Sequence, residues 1–112
     1  MTGVGTELLC NYMKNNQKKQ YKEVKLPRCN LNDNDFCLLV KSLIENEIET
    51  PILYLSYNKI TDNSAKYIFE IIKKKSCLKY IYLYNNQFSI NFKEIIKIYH
   101  KDNDVDYIKF YI

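Results

Sequence analysis

Two nine-residue stretches, LYLSYNKIT (residues 53–61) and IYLYNNQFS (residues 81–89), follow one pattern and decide the predicted fold. The shared pattern is L-x-L-x-x-N-x-I, which is filled by Leu53, Leu55, Asn58 and Ile60 and then by Ile81, Leu83, Asn86 and Phe88. Weaker copies lie on either side, at Val24, Leu26, Cys29 and Leu31 and at Ile108 and Phe110. The first apolar positions, 24, 53, 81 and 108, are 29, 28 and 27 residues apart. A period in this range indicates an internal structural repeat.

Each repeat unit divides into a strand and a helix. The L-x-L part alternates as a short half-buried strand does, and the second part places apolar residues on one helical face. The helical sets are Phe36, Leu39, Val40 and Leu43, then Ala65, Ile68, Phe69 and Ile72, then Phe92, Ile95, Ile96 and Tyr99. Each set follows a residue that favours the N-cap position: Asn32, Thr61 and Ser89. Strand, helix and return within one unit predict parallel, adjacent strands.

Residues 21–112 resemble leucine-rich repeat proteins of the ribonuclease-inhibitor-like subclass. The resemblance implies an α/β fold: a short right-handed solenoid with about four parallel strands on its concave face and helices on its convex face. In that family the motif asparagine lies in the turn after the strand, where its side chain bonds the backbone of neighbouring turns. Asn58 and Asn86 match this structural turn position, and Cys29 replaces the asparagine in the first unit. Ser64 stands where the family often has glycine.

The chain is expected to form one domain with an N-terminal cap. Residues 1–20 predict a capping helix, with Thr6 as its N-cap and a buried stripe of Leu8, Leu9, Tyr12 and Met13. The repeat units then span about 21–49, 50–77 and 78–104. Residues 105–112 predict a terminal strand whose outer edge is open.

The composition argues against an enzyme and against most ligand classes. The two glycines lie near the start, which excludes a glycine-rich phosphate loop later in the chain, and His100 is the single histidine. The four cysteines include no CxxC pair, so no catalytic residue, cofactor or metal site is predicted. A net charge of +4 with interleaved signs disfavours nucleic acid as a partner. Without a long apolar run or a secretory signal, a membrane is not expected either. A cytoplasmic location is expected, with the nucleus or delivery into a host cell left open.

The open face of the predicted sheet collects tyrosines. The predicted partner-binding residues are Tyr54, Tyr80, Tyr82, Tyr84, Tyr107 and Tyr111, with Lys25 and Lys109 attracting acidic groups. Ile52 and Ser56 are expected on the same face, with Tyr57 and Arg28 near its rim. Tyrosine combines a large rigid contact area with a hydroxyl, as interface residues do. The alternative explanation is codon bias combined with the preference of tyrosine for strands.

These features predict a protein-protein interaction module whose partner is a protein of unspecified identity. The alternative is a structural subunit or self-associating scaffold, a homo-oligomer that pairs through the strand at residues 105–112. A small-GTPase regulator is disfavoured because the chain has little arginine. Some members of the resembled subclass are pathogen effectors, which is a further possible function.

Overall fold

The computed structural model describes residues 3–74, 77–102 and 109–112. Helices and strands alternate along this part of the chain after the first helix. The elements are α1 (Gly3–Asn15), β1 (Val24–Lys25), α2 (Asp33–Glu45), β2 (Ile52–Tyr54), a 3-10 turn (Asp62–Ser64), α3 (Ala65–Lys74), β3 (Tyr80–Tyr82), α4 (Ile90–Asp102) and β4 (Lys109–Tyr111).

The strands form one parallel sheet in the order β1-β2-β3-β4. Leu53 and Ile81 face each other in the register and are buried, whereas the residues on either side of them are half-buried. This alternation gives the sheet two unlike faces. The buried face joins Phe36, Leu39 and Ile68 of the helices in one hydrophobic core.

The predicted fold class was a leucine-rich-repeat solenoid with about four strands, and this prediction is wrong. Residues 3–74 and 77–102 form a small α/β domain in which helices accompany three paired strands, β1 to β3. The fourth paired segment, β4, follows only after residues 103–108, which lie outside the description. Two complete strand-helix-strand units precede it, fewer than the three or more stacked repeats that a stable solenoid requires. The broader α/β class is confirmed.

Two of the predicted helix starts are explained by side-chain caps. Asn32 accepts a hydrogen bond from the Asp35 N–H (2.9 Å), and the Asp35 carboxylate accepts one from the Asn32 N–H (3.1 Å), which is a capping box. The Ser89 hydroxyl accepts from the Phe92 N–H at 3.1 Å. Thr61 caps the 3-10 turn that leads into α3. The N-cap prediction is therefore confirmed for Asn32 and Ser89, and Thr61 caps a tighter turn than expected.

The N-terminal helix presents a different face to the core from the one predicted. It begins at Gly3, so Thr6 is not its N-cap; Thr6 is buried and donates to Asp35 Oδ1 at 2.8 Å. Leu8 and Tyr12 are 65% and 58% exposed, and the prediction that they are buried is wrong. Met13 is buried as predicted, and Leu9 packs against the core. The inward face carries Thr6, Leu9, Cys10 and Met13, so Leu8 and Tyr12 lie on the outer side of the helix.

Two aspartates, each near the start of a helical segment, accept hydrogen bonds from the start of the next helical segment along the chain. Asp33 accepts from the N–H and hydroxyl of Thr61 (2.9 and 2.6 Å) and from the Ser64 hydroxyl. Asp62 accepts from the N–H and hydroxyl of Ser89 in the same way. Burial alone would raise the pKa of Asp33, but the hydrogen bonds from Ser64 and Thr61 outweigh it and hold the pKa below its ordinary value of 3.8.

The lowered pKa of Asp33 predicts a loss of stability in acid. A carboxylate whose pKa is lower in the folded state stabilises the protein above the pKa of the unfolded state, and this contribution disappears as the pH falls through the folded value. We expect the unfolding free energy of the wild type to drop more than that of Asp33→Asn as the pH falls from about 5 through the folded pKa of Asp33, which lies below 3.8. Urea unfolding at each pH measures the difference. If the unfolding free energy of both proteins depended on pH equally, the lowered pKa of Asp33 would be contradicted.

Candidate functional site

Two asparagine side chains fix the backbone at the carboxyl ends of the strands. Asn58 is buried and accepts from the N–H groups of Cys29 and Leu31, both at 3.0 Å. Its amide N–H₂ group donates to Leu26 O (2.9 Å) and Leu55 O (3.0 Å). Asn86 repeats the arrangement one unit later: it accepts from Ile60 N and donates to Leu55 O and Leu83 O. Cys29, at the corresponding position, donates from Sγ to Pro27 O. These bonds hold neighbouring strands in register, so the side chains between them lie in rows.

The sheet face that points away from the core, here called the tyrosine face, consists of Lys25, Ile52, Tyr54, Tyr80, Tyr82, Tyr84, Lys109 and Tyr111. Its central row runs across all four strands. Tyr54 and Tyr82 stack with ring centroids 4.1 Å apart and planes 1° from parallel, and Tyr82 stacks on Tyr111 at 4.6 Å and 6°. Lys25 Nζ lies 5.2 Å from the centroid of the Tyr54 ring, at one end of the row. The row is thus a continuous aromatic strip that ends in a cation.

A second, shorter row of side chains lies just past the carboxyl ends of the strands. Arg28 Cζ lies 4.0 Å from the centroid of the Tyr57 ring, and Tyr57 meets Tyr84 edge-to-face at 5.6 Å. Tyr84 also contacts Tyr82, with centroids 6.4 Å apart, so the two rows are joined. Both rows therefore place a cation against an aromatic ring at the β1 side of the sheet.

Positive backbone φ angles recur at the base of the second row. Arg28, Tyr57 and Asn85 have φ values of 56°, 61° and 58°, and they precede the equivalent positions Cys29, Asn58 and Asn86. Asparagine adopts this left-handed conformation readily, whereas a bulky residue pays roughly 1 kcal/mol or more for it. Tyr57 therefore occupies a backbone position that its own residue type disfavours.

The neighbouring tyrosines change the pKa of Tyr82, at the centre of the row. The hydrogen bond with Tyr54, then burial, then the neighbouring Tyr54, Tyr80 and Tyr84, raises the pKa of Tyr82 above its ordinary value of 10.0. The Tyr82 phenol therefore stays protonated at neutral pH and keeps its hydroxyl group as a donor. The charge on this face comes from its lysines, since Lys25 and Lys109 are exposed.

The structure brings most of the predicted partner-binding residues together. Tyr54, Tyr80 and Tyr82 are half-buried because they stack on one another, and Tyr84 and Tyr111 are exposed. Tyr107 lies outside the described residues. Ser56, expected on the open face, is 1% exposed, so that expectation is wrong.

Sequence reasoning gave Arg28 and Tyr57 too small a role. It placed them near the rim, whereas the structure makes them a second row in contact with the first. The signal that could have found this row was the spacing of 29 residues from Arg28 to Tyr57, which equals the spacing from Lys25 to Tyr54. Residues one period apart lie side by side on neighbouring strands.

No family model matches this chain, and a search of curated proteins finds no matching relative. The resemblance to leucine-rich repeat proteins therefore stays a prediction from the motif alone. Within residues 3–74, 77–102 and 109–112, no helix is long and apolar enough to cross a membrane. In the same part of the chain, no three His, Cys, Asp or Glu side chains are grouped so that they could hold a metal ion.

Proposed function

We propose that this chain is a protein-interaction module that binds a protein partner through the tyrosine face. The observation that carries the proposal is the continuous stack from Tyr54 through Tyr82 to Tyr111, with Lys25 at its end. Tyrosine is enriched among the residues that dominate binding energy at interfaces. Lys25 and Lys109 favour a partner segment that carries negative charge.

Preorganisation supports the same proposal. Binding costs free energy when side chains must be ordered at the interface, roughly 0.5–1.5 kcal/mol for each flexible side chain. The tyrosines already fix one another by stacking, and the Asn58 and Asn86 bonds fix the strands beneath them. A partner therefore meets an aromatic surface that needs little further ordering.

The proposal is tested by selecting binders from a random peptide library displayed on phage, with the wild-type chain as the target. For an enriched peptide, we expect Tyr82→Ser to weaken binding by about 30-fold, the effect of losing one interface hot spot of about 2 kcal/mol. Tyr82→Phe keeps the stacked ring and should weaken binding only a few-fold. Fluorescence anisotropy with the synthetic peptide measures each dissociation constant.

The matched control is Tyr12→Ser, which removes an exposed tyrosine from α1. This variant should bind the peptide as the wild type does. Circular dichroism and urea unfolding confirm that Tyr82→Ser remains folded. Equal affinity for wild type and Tyr82→Ser, with both folded, would rule out the tyrosine face as the binding surface.

Self-association through β4 is the second candidate, because β4 is the last strand in the sheet order. Lys109 N donates to Lys79 O at 2.7 Å and Tyr111 O accepts from Leu83 N at 2.6 Å, so both residues bond inward to the neighbouring strand. A proline at position 109 would thus break the sheet itself and would not test the outer edge. Molar mass by light scattering across a range of concentrations tests it directly. A mass that doubles with concentration favours self-association, and a constant monomer mass excludes it.

A further inference from the structure

An open groove of about 460 Å³ lies at the carboxyl ends of β1, β2 and β3, next to the second aromatic row. Its lining is polar and includes two cations. The lining residues are Arg28, Asn30, Tyr57, Asn58, Lys59, Asn85 and Gln87. Asn58 uses its amide to bond the backbone, so the groups that are available to a ligand belong to the others.

The charge of the groove is not neutralised by the protein. Its described lining contains Arg28 and Lys59 and no Asp or Glu. Within residues 3–74, 77–102 and 109–112, neither side chain forms an ion pair or donates a side-chain hydrogen bond. Glu23 precedes β1, whereas the groove follows it, so this carboxylate lies at the other end of the strand. Two unpaired cations in one concavity favour an anionic ligand.

The arginine guanidinium is held against an aromatic ring. Its guanidinium lies over the Tyr57 ring at 4.0 Å, and Tyr57 is itself held by its edge-to-face contact with Tyr84. A guanidinium that stacks by its face keeps its edge N–H groups free, and that edge matches the two oxygens of a carboxylate. Asn30, Asn85 and Gln87 supply further amide donors around the groove.

The backbone at Tyr57 gives an independent observation. Its φ of 61° is one that asparagine adopts readily, and Asn85 occupies the equivalent position one unit later with a φ of 58°. A strained backbone at a bulky residue persists only where the surrounding structure enforces it, and such residues concentrate at functional sites. Here the strain places an aromatic ring under Arg28.

We propose that this groove binds an aspartate or glutamate side chain of the protein partner, with Arg28 forming the bidentate contact and Lys59 adding charge. The inference rests on the proposed function, because Tyr84 joins the groove to the tyrosine face and one acidic peptide can cover both. The ligand chemistry is a carboxylate. A phosphate is the competing anion that the experiment must separate from it.

The test is an NMR titration of the ¹⁵N-labelled full chain with N-acetyl-glutamate methylamide, which carries a single glutamate side chain. We expect saturable shifts of the amide signals at residues 28–30, 57–59 and 85–87. Arg28→Gln should weaken this binding about tenfold, the loss of one charge-assisted bidentate contact. Lys41→Gln, which removes an exposed charge from α2, should leave it unchanged.

A second variant separates the role of Tyr57 from that of a merely structural residue. Tyr57→Asn places a residue that favours the left-handed backbone under Arg28 and removes the ring. We expect the thermal midpoint to hold or rise while the affinity for the glutamate probe falls about threefold. A fall in both would assign Tyr57 to the stability of the turn and would overturn its role in positioning Arg28.

Three results would overturn the proposal. Shifts that stay linear with probe concentration, or that spread over lysines outside the groove, would show nonspecific charge interaction. Retained affinity in Arg28→Gln would exclude the bidentate contact. Tighter binding of phenyl phosphate than of the glutamate probe would make the groove a phosphate site.

The titration and the peptide selection test the two proposals separately. If peptides are enriched and lose affinity with Tyr82→Ser but carry no excess of Asp or Glu, the tyrosine face binds a partner and the assignment of a carboxylate to the groove is wrong. If no peptide is enriched while the glutamate probe binds at the groove, the anion site stands and the proposed interaction function fails.

Discussion

Replacing Asn58 with alanine is expected to lower the free energy of unfolding by about 4 kcal/mol. The side chain makes five hydrogen bonds to backbone groups of its own and the preceding turn. Alanine leaves two N–H donors and three carbonyl acceptors without that partner, and each buried group left unsatisfied costs roughly 1–3 kcal/mol. Part of the turn lies near solvent, so water replaces some of these bonds. The expected loss of stability is therefore smaller than the sum of the costs of the five separate groups.

Urea unfolding followed by circular dichroism measures the Asn58→Ala effect. Asn11→Ala is the matched control, because Asn11 is exposed on α1 and alanine is a better helix former. It should leave stability unchanged or slightly higher. Asn86→Ala should fall between the two, since Asn86 makes three such bonds and is half-buried. A loss below about 1 kcal/mol for Asn58→Ala would mean that water replaces the whole network.

The repeat spacing predicted the local structure well. The apolar sets at 36–43 and 65–72 predicted α2 and α3, and the L-x-L segments predicted β2 and β3. Local periodicity decides these elements because each buries one face. The predicted solenoid architecture was wrong, because a recurring motif does not fix how many units stack into one continuous core.

The orientation of α1 could not be read from its apolar residues. Leu8, Leu9, Tyr12 and Met13 form two adjacent stripes, and counting hydrophobic residues does not choose between them. The inward stripe consists of Thr6, Leu9, Cys10 and Met13, which follow the spacing i, i+3, i+4 and i+7. Its first member is polar, and its burial depends on Asp35, 29 residues away. A pattern built on hydrophobicity alone does not detect such a pair.

The candidate site was predictable to the extent that the period sets the register. Lys25, Tyr54, Tyr82 and Tyr111 are 28 or 29 residues apart and stand side by side on successive strands. The groove was not predictable in the same way. It depends on the left-handed backbone at Arg28 and Tyr57, and neither residue type signals that conformation.

Replacing Asp35 with alanine is the second large effect that we expect, about 3 kcal/mol of lost stability. Asp35 is buried and accepts from two donors, the Thr6 hydroxyl of α1 at 2.8 Å and the N–H of Asn32, the N-cap of α2, at 3.1 Å. Hydrogen bonds to a charged group contribute roughly 1.5–3 kcal/mol each, and alanine also removes one half of the capping box of α2. The same substitution therefore weakens both the start of α2 and the attachment of α1.

The double role of Asp35 gives this prediction a local signature. Amide hydrogen exchange should accelerate most in α1, because the Thr6–Asp35 bond is a buried polar contact between that helix and α2. Asp35→Asn keeps one acceptor oxygen, so it should lose about half as much stability as Asp35→Ala. Asn34→Ala, an exposed change in the same helical turn, is the control and should have little effect. Uniform acceleration across the chain with α1 no more affected than α3 would show that Asp35 acts only as a cap. Preferential loss in α1 would show that one buried carboxylate holds the N-terminal helix against the domain.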